Sequence, residues 1–408
     1  MRRQRSPALA ALATAAALGV APPARADVTL RKDPFRLDLG ATLHAGVLVR
    51  SVSDAAAGAP DPSVQPILRR ARLRVAAWFA DRIVFSLQTD RGTGESGTQL
   101  TFNIIDAYAR FEAHPALHVT AGLHLPTGSR AATQASTSFL MIDRVTLGFK
   151  ALSWGMRTLS AFNTDTLAST DTGLRTRVPV RDLGITVHGI LSPSRSVHVK
   201  YAAGVYEGVP RAFSNAPHVA TRVELDVGDA ERGLVTQGAA HGARRIFGIG
   251  AFWAVQPDLV RTADRGDVPY HLVGADVFYD APAGKGSLTL EGGVQALSMG
   301  GAERARVPAS ADFDLRTVEG LGAHAQVGYE FELGGEWFGA VQPWIGGELW
   351  RARSPAGDYA AGRVGANLFV FRRAVSIRMG YEALGLTSAA ATSERLRHSF
   401  ITGMYLSF

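Results

Sequence analysis

The sequence predicts an all-β protein, a transmembrane antiparallel barrel of 16 strands (18 possible) with a long lumen-directed loop. Three observations predict it. Apolar and polar residues alternate with period two over long stretches. Short and long connections between those stretches alternate. The chain stops on an aromatic residue of an apolar strand face.

The alternation is plainest in "FRLDLGATLHAGVLVR". Phe35, Leu37, Leu39, Ala41, Leu43, Ala45, Val47 and Val49 share one face; Arg36, Asp38, Gly40, Thr42, His44, Gly46, Leu48 and Arg50 share the other. Successive side chains of a strand point to opposite sides, so such a segment has one greasy and one wet face. "LRRARLRVAAWF" follows the same rule: Ala71, Leu73, Val75, Ala77 and Phe79 face one way, and Arg70, Arg72, Arg74, Ala76 and Trp78 the other. On a helix these arginines would be spread around much of the circumference. On a strand they form a row with a spacing of roughly 7 Å.

Similar segments follow near 82–90, 101–113, 117–125, 182–191, 196–206, 217–227, 244–255, 270–280, 286–299, 316–331, 339–351, 359–371, 374–384 and 396–408. Short connections include Ala80-Asp81, 114–116, 192–195 and Arg372-Arg373; long ones include 51–65, 91–100, 256–269, 300–315 and 385–395. The connection 228–243 is the exception to the alternation. Short turns at one rim and long loops at the other are the pattern of outer-membrane barrels. The segment 126–181 reads in two ways, as a hairpin through "VTLGFKAL" and "RTLSAFN" that makes 18 strands, or as a loop folded into the lumen that leaves 16.

In "GMYLSF" the final Phe408 shares a strand face with Leu406 and Met404. That face matches the carboxy-terminal signal read by the barrel assembly machinery, with Ile401 where a polar residue is preferred. Trp78, Phe79, Trp253, Tyr279, Trp337, Phe338, Trp344, Trp350, Phe371 and Phe408 fall near predicted strand ends, as the interfacial girdles of a barrel do.

Residues 1–26 read as a cleaved signal peptide: basic "MRRQR", apolar "ALAALATAAALGV", and Ala24-Arg25-Ala26 as the cleavage site. Residues 27–408 are then one outer-membrane domain. The chain carries a net charge of +7; the leader holds four arginines and no acid, so the remainder carries +3. That mild excess gives no support to a nucleic-acid partner. Cysteine is absent, which excludes disulfides and thiolate chemistry. "GTGESG" at 92–97 matches the dinucleotide fingerprint, yet "TQLTFNIIDAYARF" after it reads as a strand where the fingerprint needs a helix. His114 and His118 flank Pro115 at a predicted turn without a nearby carboxylate, so they read as polar turn and lumen residues. No cofactor is called for.

Three pieces together resemble the phosphate-selective porin O/P family: "RRARLRVAAWFADRIVFSLQTD" (69–90), "NIIDAYARFEAHPALHVTAGLHLPTGSR" (103–130) and "RDLGITVHGIL" (181–191). The resemblance covers the first third of the chain after the leader. It implies a 16-stranded outer-membrane barrel, usually a homotrimer, that carries anions such as phosphate by diffusion past basic ladders. It also implies that 126–181 is a constriction loop with an insertion. Arg70, Arg72 and Arg74 fit such a ladder by motif, and Asp106 and Arg110 share one strand face beside them. The loop holds Arg130 and Arg144 but is not Lys-rich; Lys200 is one of only four lysines after the leader.

The expected function is thus passive transport of small anions through an arginine-lined lumen, with no reaction catalysed. Arginine suits oxyanions because its planar fork gives two hydrogen bonds to one group. A competing expectation is that the row pairs with Asp90, Asp106 and Glu112 and stiffens the wall. A different class, a barrel enzyme acting on lipid, needs Ser and His together at the lipid side, whereas His44, His118, His124 and His198 fall on predicted lumen faces. A structural barrel with little conductance is the third alternative.

Overall fold

A computed structural model describes residues 28–52, 63–91, 102–142, 162–163, 168–169, 181–208, 214, 216–262, 266–298, 319–335, 337–353, 359–386 and 396–407. Residues 1–26, the glycines at 92–97, Arg144 and Phe408 lie outside the described residues.

The 16 strands of one closed antiparallel ring follow in order. They are β1 (Phe35–Val52), β2 (Ser63–Phe79), β3 (Ile83–Arg91), β4 (Phe102–His114), β5 (Leu117–His124), β6 (Asp182–Leu191), β7 (Val197–Tyr206) and β8 (His218–Gly228). Then come β9 (Ile246–Thr262), β10 (Gly266–Ala283), β11 (Gly286–Ser298), β12 (Gly320–Glu332), β13 (Phe338–Ala352), β14 (Tyr359–Val370), β15 (Val375–Leu386) and β16 (Leu396–Ser407). Each pairs with its sequence neighbours, and β16 closes on β1 through Ser407↔Thr42 to Arg397↔Val52. A short strand, Val28–Lys32, adds to the start of β1.

The ring decides between the two strand counts. β6 pairs directly with β5, from His118↔His188 to His124↔Asp182, so 126–181 inserts no strand into the wall. Within that segment, Phe162–Asn163 pairs with Ala168–Ser169 apart from the barrel sheet; "VTLGFKAL" lies outside the described residues.

Alternation sorts the two faces as expected. Leu73, Ile185, Val223, Ile249, Val273, Ile345 and Val364 stand exposed on the outside. His44, Thr186, Glu224, Gln256, Asp276, Gln342 and Asn367 are buried on the inside. Leu406 sits on β16 opposite Leu43 and Val375, next to the exposed Met404.

Two β-bulges set the inward side chains of the first strands. His44 pairs with Arg70 but Ala45 with Leu68, which leaves Arg69 as the extra residue. A one-residue slip exchanges the faces of a strand. Val64 therefore points out at 65% exposure while Arg70 is 8% exposed inside. In β4, Gln88 pairs with Asp106 and Thr89 with Ile104, so Ile105 is extra; Ile104 is exposed and Asp106 buried.

Two expectations are corrected. The connection 256–269 is not long: β9 and β10 extend to Thr262 and Gly266. Their ladder skips 257–259, and Asp258 there has φ 52°. "WAVQPDL" hides this continuation because Pro257 interrupts the alternation. Among the aromatics, Phe79, Trp253, Trp337, Phe338 and Phe371 are exposed outside as a girdle requires. Trp344 and Trp350 are buried inside, in phase with Gln342 and Glu348. Trp78 faces the lumen as its place on the arginine face predicts, and Arg36 and Arg110 stack on its ring at 4.3 and 5.6 Å. Their places near strand ends misled, and the two-residue phase decides.

Candidate functional site

Two connections enter the barrel and meet inside it. One follows β5: residues 125–142 carry a short helix, Arg130–Thr133, capped where Ser129 Oγ accepts from the Ala132 N–H at 3.1 Å. The other joins β8 to β9 from the short-turn rim, and it accounts for the exceptional length of the 228–243 connection. The segments bond to each other: Ala135 N–H donates to the Thr236 carbonyl at 2.8 Å, and Thr236 N–H to the Thr133 carbonyl at 3.1 Å. They form a plug.

Arg130 fastens the plug to the wall. Its guanidinium donates to Glu224 (3.0 Å) and Glu231 (2.8 Å twice) and to the Gln237 carbonyl at 2.6 Å. It lies 3.5 Å from the Phe278 ring centroid and is fully buried. Its backbone N–H donates to Asp276 at 2.8 Å. Asp276 also takes both Nη atoms of Arg222 at 2.7 Å, and Arg222 reaches Glu224 at 3.1 Å. Gln134 bonds to Glu291. Desolvation disfavours each charge here, and the arrangement stands because Arg130 and Arg222 are each set against two carboxylates.

Burial pushes the Glu231 carboxyl up, but Arg130 and then Lys200 outweigh it and hold the group down to about 2. A depressed carboxylate stabilises the fold above its unfolded value, roughly 4.3, and loses that contribution as pH falls toward the folded value. The plug is expected to hold at pH 5 and loosen as pH falls from about 4 toward 2, read as a rise in single-channel conductance. For Arg130, burial is likewise outweighed, by Glu231 and Glu224, and the guanidinium stays charged.

The far end of the plug is apolar. Phe139, Leu140, Met141 and Ile142 are buried against β12–β16. Side chains of the wall capture their carbonyls: Asn367 holds Leu140 (2.7 Å), Arg378 holds Phe139 (3.0 Å) and Tyr405 holds Ile142 (3.2 Å). Glycines make the seat, since a Cβ on Gly328 would overlap Leu140 Cδ1 and one on Gly346 would lie 2.7 Å from Met141 Sδ. Leu140 is fully buried and has nowhere to move. Gly328→Val is expected to cost about 1–3 kcal/mol by overpacking, measured by thermal unfolding in detergent.

The plug covers the acidic wall. Glu224, Asp226, Asp276 and Glu291 are each at most 5% exposed. The opposite arc, β1 to β7, carries the sequence-predicted cations. Arg72 Nε donates to Asp90 at 2.7 Å and an Nη to Ser136 of the plug at 2.8 Å. Arg70 contacts His44 at 3.3 Å and lies 5.4 Å from the Phe139 ring. Arg74 projects from the same face of β2, half-buried. Asp106 is taken by Arg181 at 2.7 Å. Burial opposes the charge of Arg181, and Asp106 outweighs it, so the net shift is upward. Arg110 pairs with Glu112 at 2.7 Å. Both readings of the row thus have a physical counterpart, for Arg72 is paired yet remains on the lumen wall.

Arg70, Arg72, Arg74, Asp106 and Arg110 come together on one arc, with Lys200 further along it. Arg130 stands apart, within the plug. A cavity of about 500 Å³ opens at the short-turn rim between them. Its walls carry Arg82, Arg110, Lys200, Arg222 and Arg232 against Asp81 and Glu112, together with His118 and His188. Arg222, Glu224, Glu231 and Asp276 were not singled out by the sequence. "TRVELDV" marks Arg222, Glu224 and Asp226 as one polar face, but nothing local reveals their partners. His114 accepts from the Ala116 N–H in its turn at 3.1 Å, and His118 stacks on His188. Among the described residues no group of three or more His, Asp or Glu is disposed to hold a metal ion.

A closed ring of amphipathic strands with an inward plug defines a porin-like outer-membrane barrel. The solved structures agree on that fold. The outer membrane channel DcaP of Acinetobacter baumannii is similar with a TM-score of 0.53 at 11% identity, over 93% of this chain and 99% of that one. Salmonella typhi OmpF, in complex with daunomycin, gives 0.51 at 12% identity, over 93% and 100%. A loop-deletion mutant of OmpT, an outer membrane protein of Vibrio cholerae, gives 0.51 at 12% identity, over 92% and 100%. No family model matches the chain, and no curated protein matches it in sequence.

Proposed function

We propose that the protein is a porin of an outer membrane that carries small anions, phosphate-like ions among them, by passive diffusion. One observation carries the reading: the plug buries the acidic wall, while the other arc bears Arg72, Arg74 and Arg110 half-buried, with Arg70 and Lys200 buried beside them against the plug. The cavity walls carry Arg82, Arg110, Lys200 and Arg232 against Asp81 and Glu112, and Arg222, which also lines them, is bound to Asp276 and Glu224. Such a focused potential raises the local anion concentration. The cations are shared with Asp90, Glu112 and Glu231, so each site holds an anion weakly, as release requires. No chemical step is part of the proposal.

The exposed apolar exterior supports a lipid environment, and in this reading the chain reaches it through the barrel assembly machinery after loss of residues 1–26. Assembly as a homotrimer belongs to the same proposal. The test is the reversal potential of purified protein in a planar bilayer under a potassium chloride gradient. Anion preference supports the reading. Cation preference, or no conductance, overturns it.

A further inference from the structure

We infer that the cavity at the short-turn rim is a binding site for organic oxyanions, molecules with an apolar body and a phosphate or carboxylate head. The inference rests on the anion-channel reading and narrows its substrate class.

Lys200 marks the head-group position. Its side chain is 9% exposed and its Nζ lies 3.5 Å from Glu231. That carboxylate is engaged by Arg130 through two bonds of 2.8 Å. Among the described residues Lys200 Nζ makes no hydrogen bond. An ammonium has three donors, and leaving them unfilled in a buried place costs free energy. An oxyanion at the inner end of the cavity supplies acceptors and charge together.

The rest of the cavity suits an apolar body. His118 and His188 face each other across β5 and β6 with ring centroids 5.2 Å apart and planes 15° apart. Thr120 Oγ1 lies 3.1 Å from His188 Nε2 and steadies that ring. Pro115, Ile190, Ala202 and Leu234 complete the walls. A hydrated inorganic ion gains nothing from such surfaces, whereas an aromatic or aliphatic body does. The volume, about 500 Å³, is in the range of small-molecule sites. Arg82 and Arg232 at the mouth steer anions inward.

The probes are phenyl phosphate and inorganic phosphate, added separately to the short-turn side of a bilayer carrying chloride current. Phenyl phosphate is expected to interrupt the current at about tenfold lower concentration, the effect of burying one small apolar ring. Lys200→Gln should raise its half-blocking concentration about tenfold, the loss of one charged contact. Leu234→Ser should narrow the gap between the two probes without removing the block. Benzoate in place of phenyl phosphate separates a carboxylate preference from a phosphate one. Equal half-blocking concentrations for phenyl and inorganic phosphate would overturn the inference and leave the anion channel standing. Should the barrel prove not to conduct anions, titration of the detergent-solubilised protein with phenyl phosphate decides the site by itself. Binding that Lys200→Gln weakens supports it, and no binding overturns it.

Discussion

Arg130→Ala is expected to unseat the plug, raise single-channel conductance and lower stability by about 3–5 kcal/mol. The substitution removes the one cation that bridges Glu224 and Glu231, at 3.0 and 2.8 Å, and leaves Glu224 with Arg222 at 3.1 Å and Glu231 with Lys200 at 3.5 Å. Under-compensated charge in so dry a place draws water, and the nearest route is displacement of the plug from β8–β10. A paired replacement, Arg130→Met with Glu231→Leu, removes both charges but leaves Lys200 without its carboxylate, and should recover part of the stability. Conductance and thermal unfolding of both variants in detergent settle the matter. An unchanged conductance in Arg130→Ala would mean that the apolar end, held by Asn367, Arg378 and Tyr405, keeps the plug seated without the ion cluster.

The Arg72→Glu, Arg74→Glu double variant is expected to reduce the anion-to-cation permeability ratio about tenfold or more, equivalent to ~1.4 kcal/mol. The change puts two acids where two cations stood, and one of them faces Asp90, the present partner of Arg72 at 2.7 Å. Like charges across a ladder repel, so β2 should also lose some stability. The readout is the reversal potential across a range of salt, because screening shrinks the effect at high ionic strength. A preference unchanged at low salt would assign the row to stiffening the wall and leave ion selection to the cavity cations.

Much of this architecture is legible in the residues alone. β6 needs only "DLGITVHGIL", where Leu183, Ile185 and Val187 alternate with Thr186 and His188. The inward direction of Arg70, Arg72 and Arg74 is equally plain in "RRARLR", although the bulge at Arg69 that turns them inward is not. Trp344 and Trp350 were readable too, since both keep step with Gln342 and Glu348; proximity to a strand end was the weaker signal. The choice of 16 strands over 18 was not readable, because "VTLGFKAL" has the alternation of a strand and only the direct pairing of β5 with β6 denies it a place in the wall.

The cluster at Arg130 shows the limit from the other side. Its partners Glu224 and Glu231 stand 94 and 101 residues away in the chain. No periodicity links them. Strand character and sidedness depend on residues two apart, so the barrel, its greasy exterior and the facing of its arginines follow from local alternation. Which charges neutralise one another depends on ring closure and on two connections meeting inside the ring. Coulomb energy acts through space between groups that only the closed fold brings to 3 Å, and ring closure sets the acids of β8–β11 under the plug while Arg72, Arg74 and Arg110 of the other arc stay half-buried.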